Sequence, residues 1–240
     1  MVCAVNRAIE EGKPMYDPKY FSNLTLDTVK QIFRSDTESQ MPLLEKRVEA
    51  MGEIGSILTN KFGGSFKAVI DKAQGSAFQL VKIVAAEFPC FKDVHSYEGE
   101  SVAILKRAQI LAADLELLYA SKGMKVFSDI DELTMFADYR VPQSLVHFGV
   151  MSYSHDLLQK LDQDYLFNSG DREEVEIRGV SIHATELIVA EVRKILLDRK
   201  AGPDMHINSI KVDFFLWDYR VEHAQSLESI PYHKTRCIYY

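Results

Sequence analysis

Apolar residues along this chain recur mostly at helical spacing. Leu44, Val48, Met51 and Leu58 form one stripe, Ile104, Ala108, Leu111, Leu115 and Leu118 a second, and Leu187, Ile188, Val192, Ile195 and Leu196 a third. Each is the pattern of a helix with one face in a core. Gly123, after "YASK", is placed to cap the second helix, and "AGP" at 201–203 to stop the third, because glycine accepts the left-handed turn after a helix and proline cannot continue one. A fourth stripe, Ile207, Ile210, Phe214, Trp217 and Val221, predicts a helix through "VDFFLWDYR", 212–220, that packs this face into the core. "VCAVNRAIEEGKP" reads as a first helix ended by Gly12 and Pro14; its apolar start lacks a cap, and Asn6 caps only a shorter version, as expected if a segment upstream has been lost. Good alternation occurs only in "EEVEIR", 173–178, which reads as one short strand or an irregular lead-in to the following helix. The expected fold is mostly α, with few short strands. No repeat, low-complexity tract or Pro/Ser-rich linker divides the chain, so residues 1–240 read as a single domain.

Composition narrows the function classes. The 240 residues are 47% hydrophobic and 26% charged, enough to bury a real core. A net charge of −7 argues against gripping long nucleic-acid backbones, which needs clustered Lys and Arg, and leaves a single nucleotide as a ligand. Cys3, Cys90 and Cys237 form no C-x-x-C pair, which favours a reducing compartment over a disulfide framework or zinc knuckle. His147, His155, His183, His206, His223 and His233 fall at no ligand spacing, so neither a metal nor a cofactor is expected. No apolar run reaches the ~18 residues of a membrane span, and the N-terminus has no signal-peptide pattern. A cytoplasmic monomer without a membrane partner is expected.

Three acids beside aromatics carry the candidate chemistry. Asp213 and Asp218 lie next to the Phe214/Trp217 face, and a carboxylate at a core edge costs desolvation energy unless paired; each is a helix-flank surface residue or part of a site. Asp138, in "TMFADYRVPQ", caps a helix, pairs with Arg140, or belongs to the same kind of site. Lys106 and Gln109 in "LKRAQ" read as a solvated flank. "KFGGSF", 61–66, lacks the spacing and preceding strand of a phosphate loop. The "PYHKTRCIYY" tail is either a phosphate-facing edge or a docked C-terminus.

Taken in order, "AVNRAIEEG", "SDTESQMPLLEKR", "KFGGSF", "LKRAQIL", "TMFADYRVPQ", "REEVEIRG", "VDFFLWDYR" and "RCIYY" resemble the queuosine salvage family, the queuosine 5′-phosphate N-glycosylases, over the whole length. The resemblance implies a helical fold similar to the DNA glycosylases. It also implies hydrolysis of the N-glycosidic bond of queuosine 5′-monophosphate, freeing queuine for reuse in transfer RNA and leaving ribose 5-phosphate. It places the catalytic aspartate at Asp213 and base contacts at Phe136, Asp138, Phe214 and Asp218. It further implies a segment before "AVNRAIEEG" that walls part of the pocket, so that this chain alone is expected to bind queuine poorly and cleave slowly or not at all. A fixed carboxylate suits the chemistry, since breaking a sugar–nitrogen bond builds positive charge on the ribose. Queuine presents adjacent N–H donors and a cationic side-chain amine, which two acids can accept, while Phe136 and Phe214 pack on the ring. The 5′-phosphate needs basic partners, for which Lys106 ranks ahead of Arg107, Lys234 and Arg236. The competing expectation is a non-catalytic protein that binds queuosine or transfer RNA.

Overall fold

The protein is described by a computed structural model over residues 2–200, 202 and 205–240. These residues form twelve α-helices and four short strands, and the chain groups into two compact units.

The first unit comprises Met1–Gly75 and Lys82–Lys92. It holds α1 (Val2–Glu10), α2 (Pro18–Phe21), α3 (Leu26–Ile32), α4 (Leu44–Lys61) and α5 (Phe66–Lys72). Its core of Ala8, Val29, Ile32 and Phe33 is backed by Leu44, Val48 and Met51, so the α4 stripe packs as its spacing predicts. Gly55, inside α4, is required by contact rather than by a turn: a Cβ there would lie 2.5 Å from both the Pro18 carbonyl oxygen and the Ser22 Cβ on α2. "KFGGSF" is a helix-to-helix turn, with Gly63 and Gly64 at positive φ and the Ser65 hydroxyl capping α5.

α6 (Ala77–Glu87) ends in the first unit and begins in the second, which comprises Ser76–Val81 and Asp93–Tyr240. There β1 (Val94–Tyr97) and β2 (Glu100–Ala103) pair antiparallel across Glu98 and Gly99, both at positive φ, a two-residue turn that matches strand twist. α7 (Lys106–Ala120), α8 (Val141–His147) and α9 (His155–Asp162) follow, then β3 (Leu166–Phe167), α10 (Arg172–Asp198), α11 (Ser209–Glu222), α12 (Ala224–Leu227) and β4 (Lys234–Thr235), which pairs parallel with β3. Met135, Val141, Leu145, Met151, Ala184, Val189, Val212 and Leu216 form the core between α8, α10 and α11.

Several expectations change here. "EEVEIR" is neither strand nor irregular; it is the first two turns of α10, with Glu174, Val175, Ile177 and Arg178 buried. The α7 stripe holds at its start, where Ile104 and Ala108 are buried and Leu111 and Leu115 half-buried, but Leu118 is exposed, and Lys106, Gln109, Ala112 and Ala113 share the inner face because small alanines and paired polar groups fit there. Gln109 bonds Thr134 and the Ile104 carbonyl, so the solvated-flank reading of Lys106 and Gln109 is overturned. α11 buries Ser209, Ile210, Val212, Asp213, Leu216 and Arg220, leaving Phe214, Trp217 and Val221 of the expected face exposed. α10 ends at Asp198, capped by Arg199; Ala201 and Pro203 of the expected stop lie outside the described residues.

Candidate active site

Asp213 is 4% exposed, on the inner face of α11. Asn208 starts that helix by accepting the Lys211 N–H at 2.9 Å, which sets Asp213 just after the first turn. The face is tied to α8 by polar pairs: Ser144 Oγ donates to the Leu216 carbonyl at 2.8 Å, and Arg220 Nε donates to Gln143 Oε1 at 2.9 Å. Asp213 Oδ1 accepts the backbone N–H of Phe136 at 3.1 Å. Burial, and then the charge of Asp138, push the Asp213 carboxyl up to about 7, against the opposing pull of the Phe136 amide and the Lys106 ammonium. A carboxyl held there gains and loses its proton near neutral pH.

Asp138 is buried in the loop that enters α8. Its Oδ1 accepts the N–H groups of Arg140 and Val141, each at 2.8 Å, so it does cap the helix, and it also sets the field at Asp213. Phe136 and Phe214 meet edge to face, 6.0 Å between centroids. Lys106, the first residue of α7, is buried; desolvation lowers its pKa, Asp138, Asp213 and Asp93 favour its charge, and Arg178 opposes it. Among the described residues its ammonium makes no hydrogen bond to protein. The loop before α8, the start of α7 and the inner face of α11 thus bring together Phe136, Asp138, Lys106, Asp213 and Phe214. Asp218 is exposed, about 140° round the helix from Asp213 by helical geometry, and is not brought to this cluster.

Behind the cluster lies a buried ionic network that sequence reasoning missed. Arg178 donates to both oxygens of Asp93, at 2.6 and 3.0 Å, to Glu174 Oε1 at 3.2 Å and to the Ala137 carbonyl at 3.2 Å. Asp93 also pairs with His95 Nε2 at 2.8 Å and accepts the Lys106 backbone N–H at 3.2 Å, anchoring the start of α7. The Tyr240 hydroxyl donates to Glu174 and meets His233 Nε2 at 2.8 Å. The tail is therefore docked rather than a free edge: Arg107 holds the Ile238 carbonyl at 2.8 Å, and Lys234 pairs with Asp164 at 2.5 Å. The available signal was the Glu174/Arg178 pair, an i,i+4 partnership once the segment is read as helix.

A buried carboxyl that titrates near neutrality, a second buried acid, a buried ammonium and an aromatic edge thus lie together in a mostly helical protein. The chain belongs to the queuosine salvage protein family, whose model matches residues 1–240. It is 44% identical over 240 residues to the queuosine 5′-phosphate N-glycosylase/hydrolase of Bos taurus, covering 100% of this chain and 70% of that protein. The Mus musculus protein of the same name is also 44% identical, with 71% of its length covered. The Sphaerobacter thermophilus protein of that name is 39% identical over 242 residues, covering 100% of this chain and 71% of its own.

Proposed function

We propose that this protein hydrolyses the N-glycosidic bond of queuosine 5′-monophosphate, releasing queuine and ribose 5-phosphate, the activity its relatives' names describe. The observation that carries the reading is Asp213, buried beside an aromatic pair, with Oδ1 held by the Phe136 amide and the other oxygen not engaged by it. As the bond to the base breaks, positive charge grows on the ribose, and a carboxylate already desolvated and fixed stabilises it without reorganising. Queuine carries carbon where guanine has N7, which removes a site for protonating the leaving group and places more of the barrier reduction on the sugar side. Phe136 and Phe214 flank the base, Asp138 accepts its donors, and Lys106 serves the phosphate. The working form in this reading is a cytoplasmic monomer with a glycosylase-like helical fold, acting on a free nucleotide; the net charge of −7 supports a small ligand over long nucleic acid.

The test is incubation with queuosine 5′-monophosphate and detection of queuine and ribose 5-phosphate by mass spectrometry. Tight binding without release would instead favour a carrier. Because the reaction needs Asp213 ionised, turnover should rise with pH through about 7, the value to which burial lifts this carboxyl.

A further inference from the structure

Tyr240 takes no part in the proposed chemistry, yet its side chain is fixed at both ends. Burial raises the pKa of its phenol, which stays protonated. The single hydroxyl hydrogen goes to Glu174, which accepts it. His233 Nε2, 2.8 Å from the same oxygen, must therefore be the donor of that second bond. This fixes His233 as the neutral Nε2–H tautomer, in keeping with burial, Arg178 and Lys106 pushing its pKa down to about 3. It also explains the buried Nδ1, which has no partner: a bare lone pair is left there, not an unpaired N–H.

The ring so fixed touches two cations. The Arg178 guanidinium carbon lies 4.8 Å from its centroid and the Lys106 Nζ 5.6 Å. Arg178 is already held by Asp93, Glu174 and the Ala137 carbonyl. Lys106 has its backbone N–H anchored on Asp93, while among the described residues its ammonium has this ring and the attraction of Asp138, Asp213 and Asp93 to locate it. We propose that Tyr240 is a positioning residue: its hydroxyl is clamped by Glu174 and His233 so that its ring holds the Lys106 ammonium beside Asp138 and Asp213. The proposal rests on the glycosylase reading for its consequence in catalysis, but not for its geometry.

The test replaces Tyr240 with Phe, with Leu, and with a phenylalanine bearing three ring fluorines, which keeps the shape of Phe but drains the charge from its face. Asp213 is titrated by carbon NMR of its carboxyl in the unliganded protein, and queuine release is followed against pH. The Lys106 ammonium favours the Asp213 anion, so losing its hold lets the titration move up. Tyr240→Phe, which loses the clamp but keeps the ring, should raise the midpoint by less than the other two variants, whereas Tyr240→Leu and the fluorinated ring should raise it by roughly half a unit or more, with the turnover profile following. Equal midpoints for Phe and its fluorinated analogue would overturn the proposal, and the shared shape removes misfolding as an explanation. Tyr240→Phe shifting as far as Tyr240→Leu would also overturn it, because the ring face would then contribute nothing to holding Lys106. A shift in the unliganded protein with no queuine release from any form, parent included, would leave the positioning role standing and sink the assigned reaction.

Discussion

α4 and α11 each carry an apolar stripe, but they orient their faces by different rules. α4 turns Leu44, Val48, Met51 and Leu58 inward and leaves Glu45, Lys46 and Glu49 in solvent. α11 buries Ser209, Asp213 and Arg220 together with Val212 and Leu216, and leaves Phe214 37%, Phe215 58% and Trp217 47% exposed. A helix that only packs follows its hydrophobic pattern. A helix that carries a site gives part of its inner face to polar groups, each needing a partner to offset desolvation. Asp213 has the Phe136 amide, Arg220 has Gln143, and Ser209 donates to Glu186 at 2.5 Å.

The strongest way to break that rule is to strip a partner from the buried network behind Asp213. Arg178→Met leaves Asp93 and Glu174 buried without their shared cation, and should lower stability by ~3–5 kcal/mol in urea unfolding. A loss below ~1 kcal/mol would mean that these carboxylates find water or protons readily, and that polar inner faces here need no assigned partners.

Asp213→Asn comes next, with cleavage expected to fall by ~10²-fold or more. Its stability should move the other way with pH. The ordinary carboxyl value is 3.8 and burial lifts the folded one to about 7. Below pH 4 both states are protonated. Between 4 and 7 the unfolded chain ionises first, so the parent loses stability as pH rises; above 7 the loss is complete. Asparagine does not ionise, so thermal melts should show the variant gaining on the parent from pH 4 to 8. A constant gap would sink the raised pKa, and near-normal turnover would sink the catalytic role.

Asp138→Asn sharpens the comparison at smaller amplitude. The amide oxygen can still cap α8, so stability should change by under ~0.5 kcal/mol, while queuine affinity measured calorimetrically weakens by ~1–3 kcal/mol through loss of the charged acceptor. Unchanged affinity would reduce Asp138 to its cap.

Helix positions were legible in the sequence because period 3.6 survives any rotation of the helix about its axis. Which face is buried was not legible on α7 or α11, where Lys106, Gln109, Asp213 and Arg220 take inner positions that a hydrophobicity pattern assigns to solvent. The β1–β2 hairpin was missed because its strands are four residues each and its turn is Glu-Gly rather than Asn-Gly. The role proposed for Asp213 came from family resemblance, the residues around it leaving surface and site both open. The Arg178 network stayed hidden because Glu174, Glu176 and Arg178 alternate as in a strand while Glu174 and Arg178 also pair at i,i+4 as in a helix, and six residues satisfy both periods.

The smallest expected effect tests the outward face directly. If Trp217 were in the core, as its place in the stripe suggests, Trp217→Ala would remove a large buried ring and lower stability by ~3–5 kcal/mol. The ring is half in solvent, so much of its apolar surface is never transferred from water, and alanine's better helix propensity returns a few tenths of a kcal/mol. The expected loss is therefore about 1 kcal/mol or less in chemical denaturation, against ~2–5 kcal/mol for Leu216→Ala one residue earlier on the buried side. Equal losses at the two positions would show that the aromatic face is covered in solution, and α11 would then bury its stripe by the same rule as α4.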